Sequence, residues 1–183
     1  LLNLENVKPP KEVNYDFTNE EDQDYKESLI TKPATLQDHL LSQLQLLADS
    51  DDVREIGESI IGNINYDGYL ECQIEDMAEA SKIAQSEAET VLSLIQSFDP
   101  IGVGARDLRE CLLLQLRSKG QNDSLACQIV DKYLPNLQNK RYDYIAKKLG
   151  VSVEKIKEVM KEIANLEPKP GRSFGTERPV YLI

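Results

Sequence analysis

The chain has no tryptophan, a single histidine, His39, and only three cysteines, Cys72, Cys111 and Cys127, none of them in a CxxC pair. Scarce, scattered ligands of this kind argue against a zinc site or a disulfide framework and fit a reducing cytoplasm. No apolar run approaches transmembrane length, and no basic-then-apolar leader opens the chain. A start at Leu1-Leu2 reads as a piece of a longer protein. Positive charge is also short: 21 Lys and Arg stand against 32 Asp and Glu, for a net charge of −11. That balance opposes nonspecific phosphate binding, which needs clustered cations to release counterions, and suits a protein-binding module. No histidine is paired with a serine or cysteine, no ligands are spaced for a metal, and no phosphate loop is complete, so neither catalysis nor a cofactor is expected.

What is present is helical punctuation. The most distinctive stretch is Ser97-Phe98-Asp99-Pro100-Ile101-Gly102-Val103-Gly104-Ala105-Arg106-Asp107-Leu108-Arg109. Pro100 cannot continue a helix, and Gly102 and Gly104 open the backbone to positive φ, so one helix stops before this run and another starts near Ala105. Val91, Leu92, Ile95 and Phe98 precede the corner at helical spacing, and Leu108, Cys111, Leu112 and Leu116 follow it. Gly102-Val103-Gly104 before a helix invites a nucleotide-phosphate reading, but the preceding strand and the full glycine or Gly-Lys spacing are missing.

Residues 1–32 carry 8 acids, 4 bases, Pro9-Pro10 and few apolar residues, which predicts an acidic linker, largely extended or disordered. Tyr15, Phe17 and Tyr25 within it can also mark a docking peptide. Thr35 with Asp38 forms a capping-box start for a helix to about Ala48, on the stripe Leu36, Leu40, Leu44 and Leu47. Asp49-Ser50-Asp51 caps a second helix, ended by Asn65-Tyr66-Asp67-Gly68 in a helix–helix turn. A short helix from Ile74 and a longer one from about Gln85 to Ser97 have a helix-turn-helix outline. Helices over Ala105–Ser118 and from Leu125 to before Pro135 follow.

Aligning Ala78 with Ala146 without gaps pairs Met77 with Ile145, Ile83 with Val151, Val91 with Val159 and Ile95 with Ile163, and sets Phe98-Asp99-Pro100 on Leu166-Glu167-Pro168. The chain therefore contains two copies of a helix-turn-helix-like unit. Only the second has a well-formed turn, with Gly150 at the left-handed position and Ser152 at the N-cap; Lys82 and Ala84 stand there in the first. The expected architecture is all-α: a helical bundle over 33–118, a helix-turn-helix-like subdomain over 119–174, and a linker over 175–183. Charge divides with it, net −11 over 33–118 and net +4 from Lys119 onward.

Arg106 and Arg109 flank the corner as interface anchors or as surface partners, Arg106 to Asp99 or Asp107. Lys155 lies on a basic helix interleaved with Glu154, Glu158 and Glu162, so ordinary surface pairing competes with nucleic-acid contact. Lys169 and Arg172, in the stiff stretch Glu167-Pro168-Lys169-Pro170-Gly171-Arg172-Ser173-Phe174, are candidate phosphate contacts. That stretch reads as an extended interdomain connector, ahead of a docking strand.

The central run, together with Thr35–Leu40, Ile61–Leu70 and Leu166–Phe174, resembles the signature stretches of the bacterial sigma-54 (RpoN-type) factors. The resemblance implies a core-binding region that docks on core RNA polymerase, with Asp99, Pro100, Gly102, Gly104, Arg106 and Arg109 as interface or corner residues. It also implies promoter DNA at −24/−12 and an ATP-driven enhancer-binding activator as further partners, engaged mainly through parts outside this stretch. A stand-alone helix-turn-helix DNA-binding regulator is the alternative.

Overall fold

The computed structural model describes residues 34–174. The acidic lead over 1–32, its docking-peptide reading and the terminal linker over 175–183 lie outside the described residues. Eight α-helices account for the described fold: α1 Leu36–Leu47, α2 Asp51–Gly62, α3 Ile74–Ser81, α4 Gln85–Ile95, α5 Leu108–Ser118, α6 Leu125–Gln138, α7 Tyr142–Leu149 and α8 Val153–Ala164, with a 3-10 turn at Pro170–Phe174. None is long and apolar enough to cross a membrane.

Local chemistry sets most of the boundaries. Thr35 Oγ1 accepts the Asp38 N–H at 3.2 Å and Asp38 Oδ2 accepts the Thr35 N–H at 3.0 Å, closing the capping box that starts α1. Ser50, Asp107, Ser124 and Ser152 cap α2, α5, α6 and α8 with a side-chain oxygen that accepts the N–H three residues on. Gly150 ends α7 at φ 66°, and Lys82 ends α3 at φ 55°, where a non-glycine residue costs conformational energy. The left-handed turn of the second copy is thus imposed on a lysine in the first.

The shift of Ala78 onto Ala146 carries α3 onto α7 and the start and end of α4 onto positions 153–163 of α8. The similarity extends further. Moving Leu36, Leu40 and Leu44 of α1 by 72 positions lands on Leu108, Leu112 and Leu116 of α5, and the N-cap Thr35 lands on the N-cap Asp107. Each copy is a leading helix followed by a three-helix unit.

Each copy closes its own core. The first buries Leu36, Leu40, Leu44, Ile60, Ile61, Ile74, Leu92, Ile95 and Phe98; the second buries Leu112, Leu113, Leu116, Ile129, Val130, Ile145, Ile156 and Ile163. Truncating such a side chain to alanine costs about 2–5 kcal/mol. A division at Ser118 assigns α5 to the first subdomain, yet its buried face belongs to the second core, because the apolar stripe of α5 meets α6. In the first copy α1 and α2 approach so closely that a Cβ on Gly57 would lie 2.6 Å from Leu44 Cδ1.

Two boundaries depart from the sequence reading. Helix α5 starts at Leu108 rather than near Ala105, because Ala105 is occupied in backbone pairing with Tyr69 and Leu70. Helix α6 runs through Pro135 to Gln138. A proline inside a helix leaves the carbonyl four residues earlier without its N–H partner. Here that carbonyl is Asp131 O, and Arg109 Nε donates to it at 2.9 Å while the other end of the guanidinium pairs with the Asp131 carboxylate. The arginine satisfies the group the proline leaves open.

Candidate functional site at the junction of the two cores

The four distinctive stretches of the sequence converge on one junction. Its centre is a turn fixed by Asn65, whose Oδ1 accepts the N–H groups of Asp67 and Tyr69, each at 3.0 Å. The Gly68 N–H closes the turn on Asn65 O at 2.9 Å with φ 98°, and Ile64 pairs with Leu70 across it. Asn65-Tyr66-Asp67-Gly68 thus makes a one-bridge hairpin rather than a plain helix–helix turn. On its other side Gly104 N–H donates to Gly68 O at 2.8 Å and Leu70 N–H to Ala105 O at 3.0 Å.

The glycines of the corner are structural. Gly102 and Gly104 are buried at φ 97° and 70°, and a Cβ on Gly102 would lie 2.9 Å from both Cys111 Sγ and Gln115 Nε2. A phosphate has no room over that loop. Asp99 and Pro100, joined by a cis peptide, cross the end of α1. Gln43 Nε2 donates to Asp99 O at 2.7 Å and Gln43 Oε1 accepts the Asp99 N–H at 2.9 Å. The second copy repeats this grip: Gln115 Nε2 donates to Glu167 O at 2.6 Å and its Oε1 accepts the Glu167 N–H at 2.9 Å. Gln115 is the buried polar side chain of the second leading helix, at 8% exposure, and both of its amide atoms are satisfied. Sequence reasoning missed both glutamines, although they lie 72 positions apart in the register that superposes the leading helices.

Glu167–Phe174 is not an extended connector. It folds back as a strap onto the hairpin, with Gly171 N–H on Asp67 O at 3.0 Å and the Tyr69 hydroxyl donating to Pro168 O. Gly171 serves close approach and not a positive φ, since a Cβ there would meet Tyr66 O at 2.3 Å. Phe174 stacks on His39, ring centroids 4.5 Å apart, and His39 Nε2 lies 3.5 Å from Asp99 Oδ2.

The cations singled out from sequence are mostly engaged. Lys169 Nζ reaches Asp67 Oδ2 at 2.6 Å and Arg172 Nε reaches Asp67 Oδ1 at 3.0 Å, on a carboxylate whose side chain is 14% exposed. Burial pushes the Asp67 carboxyl up, but the hydrogen bonds and charges of Lys169 and Arg172 outweigh it, leaving the group below its ordinary value. Arg106 pairs with Glu110 at 3.3 Å, not with Asp99 or Asp107, while its backbone N–H donates to the same carboxylate at 2.7 Å. Lys155 stands on the exposed face of α8, paired with Glu158 at 3.0 Å. Burial raises the Tyr69 phenol and the Cys111 and Cys72 thiols above their ordinary values, so none is an activated nucleophile. Among the described residues no cluster of His, Cys, Asp or Glu is placed to hold a metal. What the arrangement does chemically is fix two helical cores through glycine contacts and paired amides.

The profile of the sigma-54 factor core-binding domain matches residues 25–183. The chain belongs to the sigma-54 factor family. An RNA polymerase sigma-54 factor of Acidithiobacillus ferridurans is 38% identical over 161 residues, covering 86% of this chain and 34% of that protein. The corresponding factor of Escherichia coli K12 is 37% identical over 155 residues, covering 81% and 32%. RNA polymerase sigma-54 factor 1 of Bradyrhizobium diazoefficiens is 37% identical over 158 residues, covering 86% and 32%. This sigma-54 chain spans about a third of the length of the curated relatives it matches. The junction thus lies inside the part that the family profile describes as core-binding.

Proposed function

We propose that this chain holds core RNA polymerase for a sigma-54 type initiation factor, acting in the bacterial cytoplasm as a binding module and not as an enzyme. The observation that carries the reading is the match of the core-binding profile to residues 25–183. The whole factor then directs polymerase to −24/−12 promoters, and opening depends on an ATP-driven activator; both partners are engaged mainly through other parts of the factor. Gly102, Gly104 and Pro100 act by shape, presenting the helices around the junction in a fixed relation. A specific interface buries roughly 1,600 Å² and draws most of its energy from a few anchors, so rim charges such as Arg106 contribute little. Helices α7 and α8 have the outline of a DNA reader, but Lys155 on the exposed side of α8 is paired with Glu158, and Lys169 and Arg172 are held by Asp67. Promoter contact by this chain is therefore weak and conditional.

The test is binding of the purified chain to core RNA polymerase and, separately, to a promoter duplex near physiological salt. Tight polymerase binding with weak duplex binding supports the reading. Strong, steeply salt-dependent duplex binding without polymerase binding replaces it with a stand-alone regulator.

A further inference from the structure

Away from the junction, helices α2 and α4 leave a groove of about 670 Å³ between them. Its floor is apolar, formed by Val53 and Ile56 of α2, Val91 of α4 and Ile83 of the α3–α4 turn; short hydroxyl side chains line its walls. Asp52, Glu55 and Glu87 stand on its rim, exposed and, among the described residues, without a cationic partner; Arg54 is committed to Asp51 at 2.7 Å. The lining of α2 from Ser50 to Ser59 is about 14 Å of helix.

The second copy supplies the comparison. In the shift of Ala78 onto Ala146, Ser86, Glu87 and Thr90 correspond to Glu154, Lys155 and Glu158, and there the carboxylate of Glu158 is already neutralised by Lys155 at 3.0 Å. The same face is self-paired in one copy and small, hydroxylated and unpaired in the other. Charge also selects against the chain's own lead, whose 8 acids outnumber its 4 bases. An apolar floor under an unneutralised acidic rim fits an amphipathic helix with its apolar stripe down and lysines or arginines at its flanks.

We propose that the α2–α4 groove seats a basic amphipathic segment of core RNA polymerase. This names the docking surface of the polymerase-binding reading above and rests on it. Rim carboxylates then govern the association rate and its salt dependence, and the apolar floor governs residence time.

The test uses the full chain and core RNA polymerase. Reversing the rim with Glu55→Lys and Glu87→Lys lowers affinity at least tenfold at low salt, by a margin that shrinks as salt rises. Filling the groove with Thr90→Trp, at an exposed position, lowers it at least tenfold at every salt. Glu79→Lys, exposed on α3, changes it less than twofold. Circular dichroism reports whether each variant folds. Independently, a photo-crosslinking phenylalanine analogue at Thr90 captures a polymerase peptide of net positive charge, and this readout decides the matter if a charge variant fails to fold. Folded groove variants that bind like the parent, or crosslinks only to acidic peptides, overturn the groove while leaving polymerase binding intact. A dimer abolished by Thr90→Trp assigns the groove to a second copy instead. Failure of the unmodified chain to bind core polymerase removes the functional reading and this partner together.

Discussion

Replacing Gly171 with alanine tests the strap directly. The added Cβ would lie 2.3 Å from Tyr66 O, 2.8 Å from Gly68 N and 2.9 Å from Asp67 C, all backbone atoms of one turn. None can rotate away, because Asn65 Oδ1 holds the turn through two 3.0 Å hydrogen bonds. The strap must instead lift by about 1 Å to reach ordinary contact, which stretches the Gly171–Asp67 backbone bond and draws Lys169 and Arg172 off their carboxylate. Overpacking of this kind costs about 1–3 kcal/mol. A weakened backbone hydrogen bond adds about 1 kcal/mol, for a total near 3 kcal/mol. With a urea slope of about 2 kcal/mol/M, the unfolding midpoint falls by about 1.5 M. Because the chain has no tryptophan, Phe174→Trp gives a single tryptophan against His39, excited apart from the tyrosines, and its emission reports strap release beside the far-UV signal of the helices. Gly62→Ala is the control: nothing lies within 4 Å of its Cβ position, so stability stays level or rises by about 0.5 kcal/mol. A Gly171→Ala midpoint within about 0.3 M of the parent refutes the close-approach argument.

Other perturbations separate the remaining contacts. Gln115→Leu removes both side-chain hydrogen bonds to the Glu167 backbone at a buried position and costs about 2 kcal/mol in urea unfolding, whereas Gln43→Leu, at a half-buried position against the Asp99 backbone, costs about 1 kcal/mol. Arg109→Ala destabilises by about 1 kcal/mol, but by less in a Pro135→Ala background, where a restored N–H serves Asp131 O; a double-mutant cycle reads the difference. The depressed folded-state value of Asp67 contributes stability that is present above the unfolded carboxylate range near 4 and lost as pH falls through the folded value. Asp67→Asn therefore flattens the fall of the melting temperature as pH drops below about 4. Cys111, buried and raised, reacts with a thiol reagent only as fast as the junction around Gly102 and Glu167 opens, measured against the unfolded chain.

Much of the helical framework was legible because local signals agreed. Capping residues, periodic leucines and the Gly150-Val151-Ser152 turn all mark boundaries that the structure keeps. The misread elements are those decided by distant partners. Pro135 reads as a stop until Arg109 is known to occupy Asp131 O. Lys169 and Arg172 read as free cations until Asp67, 102 and 105 positions earlier, is seen to take both. Proline-rich Glu167–Phe174 reads as a spacer because nothing local shows that Gly171 must fit against another backbone. The duplicated glutamines do leave a trace in the sequence, since Gln43 and Gln115 fall in the 72-residue register that sets the leucines of α1 on those of α5.

The strap also sets an order of events during synthesis. The turn at Asp67 leaves the ribosome about a hundred residues before the Gly171 that closes over it, an interval of about 5–20 s at ordinary elongation rates. Helices α1 to α4 form from near neighbours in that time, while the Asp67 carboxylate waits without its cations. The first copy is finished only by the residues that complete the second, so a nascent chain halted before residue 169 displays an acidic notch that the finished one conceals.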